Sequence, residues 1–183
     1  LASPKCSSFF KNGEMLFEEN KEGPPSRAYL KLYESLTRAG ITPQPGDFCI
    51  DAGGSPGGWA WVIQNLGARV LSIDRSPLDP KIASLSNVEY HKADVFSIKP
   101  SDYDKVDWLF SDVICFPEKL FDWISLWFDS KKCKNFICTI KFQGSPDYSF
   151  AKKFLEIEGS QVVHLYNNKH ELTFMHIHKN KAG

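Results

Sequence analysis

Residues 48–66 read FCIDAGGSPGGWAWVIQNL. Phe48 to Ala52 is a short apolar run broken by a single acid, Asp51, the pattern of a buried strand in a parallel sheet. Gly53, Gly54, Gly57 and Gly58 then crowd one loop, where a backbone without Cβ atoms allows close approach of a ligand. Trp59 to Leu66 reads as a helix, ended by Gly67. Strand, glycine-rich loop and helix together open a doubly wound α/β unit, and in such sheets ligands lie beyond the carboxyl ends of the strands.

The alternation continues outward from this unit. Strands are expected at 69–74 (RVLSID), 87–94 (NVEYHKAD), 106–112 (VDWLFSD) and 135–141 (NFICTIK). A closing pair follows at 161–166 (QVVHLY) and 171–178 (ELTFMHIH), separated by a gap of hairpin length. Helices are expected at 118–128 and 147–158. Upstream, Ser26 reads as the N-cap of a helix ending near Ala39, with Gly40 past its end. Residues 1–25, closed by Gly23, Pro24 and Pro25, read as a loosely structured N-terminal extension. The predicted fold is α/β: a seven-stranded, mostly parallel sheet with an antiparallel last strand and helices on both faces.

Composition narrows the function. The 183 residues carry 22 basic and 22 acidic side chains, which argues against a protein that grips nucleic acid by bulk charge alone. No apolar run is long enough to cross a bilayer, and no secretory leader is apparent. Cys6, Cys49, Cys115, Cys133 and Cys138 form no CxxC pair, so reduced thiols and a cytoplasmic setting are expected. His176 and His178 share a strand face but lack a third ligand, and no metal site is expected.

Six charges fall at one rim of the predicted sheet. Asp51, Asp74, Asp94, Asp112 and Lys141 lie at or just beyond the ends of parallel strands, and Glu171 begins the antiparallel one. The loop is not a dinucleotide fingerprint, because Pro56 has no N–H to offer a pyrophosphate, and no Lys-Ser/Thr follows it as in a P-loop. Asp74 lies 23 residues after Asp51, where a carboxylate accepts hydrogen bonds from a ribose diol. A nucleoside without pyrophosphate, such as S-adenosyl-L-methionine, fits. The same features disfavour a nicotinamide-dependent oxidoreductase.

Together these residues resemble the FtsJ-like family of S-adenosylmethionine-dependent ribose 2′-O-methyltransferases. SRAYLKL (26–32), DAGGSPGGW (51–59), LFSD (109–112), CTIK (138–141) and HELTFMH (170–176) match its motifs in order and spacing. The resemblance implies a Rossmann-like class I methyltransferase domain over 26–183. It also implies a catalytic tetrad of Lys31, Asp112, Lys141 and Glu171. Cofactor contacts implied by it are Ser26, Asp51, Gly53, Ser55, Pro56, Gly57, Gly58, Trp59, Asp74, Asp94 and Asp112, with Asp94 reaching the adenine amino group. The stretch SDVICFPEKL is most similar to the RlmM type, which modifies a cytidine ribose in large-subunit ribosomal RNA.

The implied partner is therefore RNA, with ribosomal RNA expected. RlmM-type proteins carry an additional N-terminal RNA-binding region, so a separate domain or partner is expected to supply that grip, with Lys5, Lys11, Lys21, Arg27 and Arg38 the basic residues nearest the first-lysine helix. In the implied reaction Lys141 is the base that removes the proton of the 2′-hydroxyl. A free lysine titrates near 10.4, so a lysine base needs burial or a neighbouring cation to lower it. A non-catalytic S-adenosylmethionine-binding RNA scaffold is disfavoured by the intact tetrad. An mRNA-cap 2′-O-methyltransferase uses the same tetrad, but no cap-stacking pocket is apparent in the sequence.

Overall fold

The computed structural model describes residues 10, 14–143 and 148–178. Cys6, Lys5, Lys11 and the expected helix start at Asp147 lie outside them. The elements run in the expected alternation: α1 (Tyr29–Ala39), β1 (Phe48–Ala52), α2 (Gly58–Asn65), β2 (Arg69–Asp74), α3 (Pro80–Ala83), β3 (Val88–Lys92), β4 (Val106–Ser111), α4 (Pro117–Ser130), β5 (Cys133–Lys141), α5 (Ala151–Leu155), β6 (Ser160–Val163) and β7 (Glu171–His176). One seven-stranded sheet has the order β3-β2-β1-β4-β5-β7-β6. β1 to β5 pair in parallel, and β7 runs antiparallel between β5 and β6.

Two cores sandwich the sheet. Cys49, Val70, Trp108, Phe110, Ile137 and Met175 pack under α1, α2 and α3. Ile50, Leu109, Phe136, Cys138, Ile140 and Phe174 pack under α4 and α5. Side chains alternate faces along a strand, so this division fixes where the polar strand ends point. Counting by twos from Phe110 reaches Asp112, from Ile137 reaches Lys141, and back from Met175 reaches Glu171. All three fall on the face covered by α1. Register does the rest, because Lys141 stands directly opposite Glu171 in the β5–β7 pair.

Several local readings change. Ser26 is not the N-cap of α1: that position belongs to Ala28, which makes no side-chain cap. Residues 27–31 tighten instead into i→i+3 turns, Leu30 N–H donating to Arg27 O and Lys31 N–H to Ala28 O, and the Ser26 hydroxyl turns toward Gly58. Residues 14–28 form no helix or strand, yet they dock on α1: Met15 is buried, Asn20 N–H donates to the Tyr29 hydroxyl (2.7 Å), and Phe17 packs on Tyr33. β6 ends at Val163, which leaves a seven-residue connection, 164–170, before β7. The aromatic helix α4 spends Trp123 and Trp127 on the core, with Trp123 edge-on to both Phe96 and Trp127.

Phe110 anchors the α1 face of the central strand. It is fully buried, stacked on Trp108 (centroids 5.5 Å) and edge-on to Trp59 of α2 (6.2 Å). Truncating such a ring removes its transfer energy and leaves a cavity. Phe110→Ala is therefore expected to destabilise the fold by about 3–5 kcal/mol, read as a lower urea midpoint at similar slope.

Candidate active site

Lys31, Asp112, Lys141 and Glu171 meet as one cluster. Lys31 Nζ donates to both Asp112 oxygens (2.9 Å each) and to Glu171 Oε1 (3.0 Å). Lys141 Nζ lies 3.0 Å from Asp112 Oδ1 and donates to the Asp112 carbonyl. The side chains are 10–19% exposed, Lys31 the least. Burial pulls the Lys31 pKa down, but the Asp112 and Glu171 carboxylates outweigh it, and the net shift is upward. Lys31 is thus held as a cation.

Two cavities open beside the cluster. The larger, about 670 Å³, runs along the strand ends from Asp74 and Asp94 past Gly53, Ser55 and Asp112 to Lys141. Lys31 and Glu171 line neither cavity, so Lys141 is the tetrad amine that faces the larger one. The smaller, about 50 Å³, is enclosed by Ser26, Asp51, the 53–56 loop, Gly58, Trp59 and Asp112. Gly57 lines neither cavity. Its φ of 115° and the Ile82 side chain, 2.7 Å from where a Cβ would sit, make it a packing position. Gly54 has no room for a Cβ either, which would overlap the Ser72 hydroxyl and come within 2.5 Å of Asp51 Oδ2.

The rim acids differ in how far they are satisfied. Asp74 accepts from Ser55 N–H (3.1 Å) and Ser76 N–H (2.9 Å), one on each oxygen. Asp94 caps the turn at 95–97 through Phe96 N–H (3.0 Å) and pairs with Arg75. Ser55 Oγ donates to Pro77 O (2.8 Å), beyond β2, and Trp59 Nε1 to Ala28 O (2.8 Å), before α1, so both of these donors already have acceptors within the protein. Asp51 is buried, and its Oδ1 has no hydrogen-bond partner; neither has the buried Ser26 Oγ. Burial, then the charge of Asp112, push Asp51 up to about 7, against a hydrogen bond from Ser72. Two unpartnered oxygens at the wall of one small cavity leave room there for a hydrogen-bond donor, and a cationic amine suits them.

A Rossmann-like sheet with such a rim defines the class of S-adenosylmethionine-dependent methyltransferases. The FtsJ-like methyltransferase family model matches residues 24–181, and the chain belongs to that family. It is 30% identical over 157 residues to ribosomal RNA large subunit methyltransferase M of Halorhodospira halophila, a match that covers 81% of this chain and 46% of that one. The chain thus spans about half the length of the relatives it matches. A ribosomal RNA methyltransferase from Plasmodium falciparum shares the fold, with a TM-score of 0.62 at 18% identity, over 83% of this chain and 96% of that one. So does a Streptococcus mutans methyltransferase in complex with S-adenosylhomocysteine, with a TM-score of 0.56 at 13% identity, over 80% and 95%. S-adenosylmethionine is the family's cofactor, and the orphaned Asp51 and Ser26 oxygens fit its ammonium.

The sequence reading missed part of the larger cavity's wall. Arg75, Phe96, Ile114, Cys115, Phe116, Lys119 and Gln143 line it as well. Arg75 directly follows a strand-end residue already singled out, and Phe96, Ile114 and Gln143 lie two positions after one, which was the available signal. Ile114 and Phe116 are unusually open for large apolar side chains, 76% and 58% exposed. Arg27 and Arg38, the expected basic residues near the first-lysine helix, pair with Glu19 and Glu34. Among the described residues no helix is long and apolar enough to cross a membrane.

If the cofactor's ammonium sits against Asp51, an acid pushed up to about 7, its binding is coupled to pH. Binding an ammonium favours the ionised acid, and lowering the pH through 7 protonates it, so affinity falls on the acid side and is retained above. Calorimetry with S-adenosylhomocysteine from pH 5.5 to 8.5 is expected to show weakening by up to about tenfold per pH unit below 7. Asp51→Asn is expected to bind weakly at every pH and to lose that dependence.

Proposed function

We propose that this chain is an RNA ribose 2′-O-methyltransferase acting on ribosomal RNA, with residues 26–183 as its catalytic domain. The observation that carries the reading is the four-residue cluster, in which Asp112 joins Lys31 and Lys141 (2.9 and 3.0 Å) beside the cavity that fits the cofactor. Family membership and the relatives named as large-subunit ribosomal RNA methyltransferases support the substrate class.

Bound S-adenosylmethionine supplies a methyl group already activated by its sulfonium. The protein's task is then to hold a ribose hydroxyl in line and remove its proton. Lys141, at the cavity wall, accepts the 2′-hydroxyl proton at Nζ. Asp112 orients that amine through its carboxylate and its backbone carbonyl. Lys31, held cationic, fixes Asp112 from behind and leaves Lys141 as the amine available to the acceptor. Asp74 holds the ribose diol of the cofactor, and Asp51 with Ser26 its ammonium. At the cavity mouth, the exposed Ile114 and Phe116 offer apolar faces to an unstacked base.

Removing a general base costs about 10²–10⁴-fold in rate. Lys141→Ala is expected to lose at least that lower figure in methyl transfer while binding S-adenosylhomocysteine normally. Lys141→Arg is expected to fail equally, because a guanidinium does not give up its proton. The assay is transfer of radiolabelled methyl to ribosomal RNA from cells lacking this gene, followed by mapping of the modified nucleotide. Methyl found on a base, or a Lys141→Ala variant of near-full activity, sinks the reading.

A further inference from the structure

The carboxylate of Glu34 lies one helical turn beyond Lys31 and is completely buried. It sits outside both cavities and touches none of the four clustered residues in its hydrogen bonding. Its partners come instead from the connection that leads into β7. Oε1 accepts from Tyr166 N–H (3.0 Å), and Oε2 from Asn167 N–H (3.2 Å) and Asn167 Nδ2 (3.2 Å). Arg38, one turn further along α1, donates to Oε1 through Nη2 (3.0 Å) and Nε (3.2 Å) and supplies the countercharge. The next residue, Asn168, is buried and donates through Nδ2 to Thr173 Oγ1 (3.1 Å) inside β7. The connection is therefore pinned at two points, to α1 before Glu171 and to β7 after it.

We propose that Glu34 is a positioning residue for the reaction: it ties the 165–170 connection to α1 and so sets the Glu171 carboxylate against Lys31. This rests on the tetrad reading above. The helix brings Lys31 to the site and the connection brings Glu171, and those two side chains meet at 3.0 Å. Glu34, one turn along α1 from Lys31, hydrogen-bonds the connection a few residues before Glu171. Its two oxygens serve two successive, partly buried backbone amides, which lose their partner together when that carboxylate is removed. With the link cut, the connection is free to shift and the Lys31–Glu171 contact loosens. Misplacement of a catalytic group by an ångström is enough to cost about a hundredfold in rate.

Glu34→Gln keeps the shape but has one carbonyl oxygen, so it serves only one of the two amides. Glu34→Ala serves neither. In the full chain, both variants are expected to lose amide-exchange protection over 165–168 while the 51–59 loop stays protected. Methyl transfer to ribosomal RNA is expected to fall at least tenfold in kcat, with S-adenosylhomocysteine affinity within twofold of wild type. Introduced into Glu171→Gln, the Glu34→Gln change is expected to cost no more than twofold further, since it acts through that carboxylate. Should Glu34→Ala fail to fold, Glu34→Gln carries the test. Overturning results are a kcat within twofold of wild type, cofactor binding that weakens as much as kcat, or losses that multiply in the double variant. Wild-type protein that transfers no methyl to RNA overturns the tetrad reading itself, whereas active wild type with an indifferent Glu34→Gln overturns only this proposal.

Discussion

One carboxylate holds two amines together at the rim of the sheet. Asp112 takes Lys31 on both oxygens and Lys141 on one, from a helix on one side and a neighbouring strand on the other. Two amines this close and this buried are tolerable only with acid between them, since burial and like charge both oppose ionisation. The sheet supplies the rigidity. Asp112 follows β4 directly, and its N–H donates to Ala52 O of β1 (3.2 Å), so the acid is anchored on the strand that also leads into the glycine loop. Glycine loop and amine cluster are thereby fixed to one another through the β1–β4 pairing, which this hydrogen bond extends.

The acids along the rim are not equivalent. Asp74 and Asp94 are used to shape turns, each accepting a backbone amide. Asp51 keeps one oxygen with no partner in a buried pocket, at the cost of a raised pKa. Ser72 satisfies only the other oxygen, and a buried carboxylate oxygen without a partner is expensive. A cation in the pocket would supply that partner, whereas a phosphate would face repulsion from Asp51, Asp74 and Asp112 together. The electrostatics thus agree with the missing amide donor at Pro56 in rejecting a pyrophosphate ligand.

Strand parity explains why so much of this arrangement was readable before any coordinates. Apolar residues at 108, 110, 137 and 175 mark a face, and Asp112, Lys141 and Glu171 continue it at spacing two. The mostly parallel sheet and the antiparallel β7 followed from the alternation and the closing pair of strands, whereas the strand order, with β7 between β5 and β6, left no trace in local pattern. Helical and loop positions were less legible. Lys31 alone resembles any solvated helix lysine, and its burial depends on how Tyr29, Leu32 and Leu36 seat α1 on the sheet. Ser26 looked like a cap because its residue type suits one, but the chain takes i→i+3 turns over 27–31 and the helix begins later, with Ala28 at the N-cap position. Glu34 gave no signal, since a lone acid on a helix shows nothing of the backbone amides it meets 132 and 133 residues later. The pairing of its partner Arg38 was illegible for the same reason: an ion pair that engages a basic residue leaves no trace in its spacing.

That consumption of charge bears on how the chain would hold RNA. Arg27, Arg38, Lys105 and Lys134 are all paired with acids, and Lys132 donates to a backbone carbonyl. The cations along the main cavity are engaged too, Arg75 with Asp94 and Lys119 over the Phe96 ring (4.0 Å). Phosphate binding by any of these must compete with an existing contact, so charge neutralisation gives a smaller gain than a count of basic residues implies. Under the proposed function, recognition at this face then leans on the shape of the cavity and the apolar surfaces of Ile114 and Phe116. Such contacts fix an unstacked nucleotide with little dependence on salt, and they leave the two lysines of the cluster to chemistry rather than to grip.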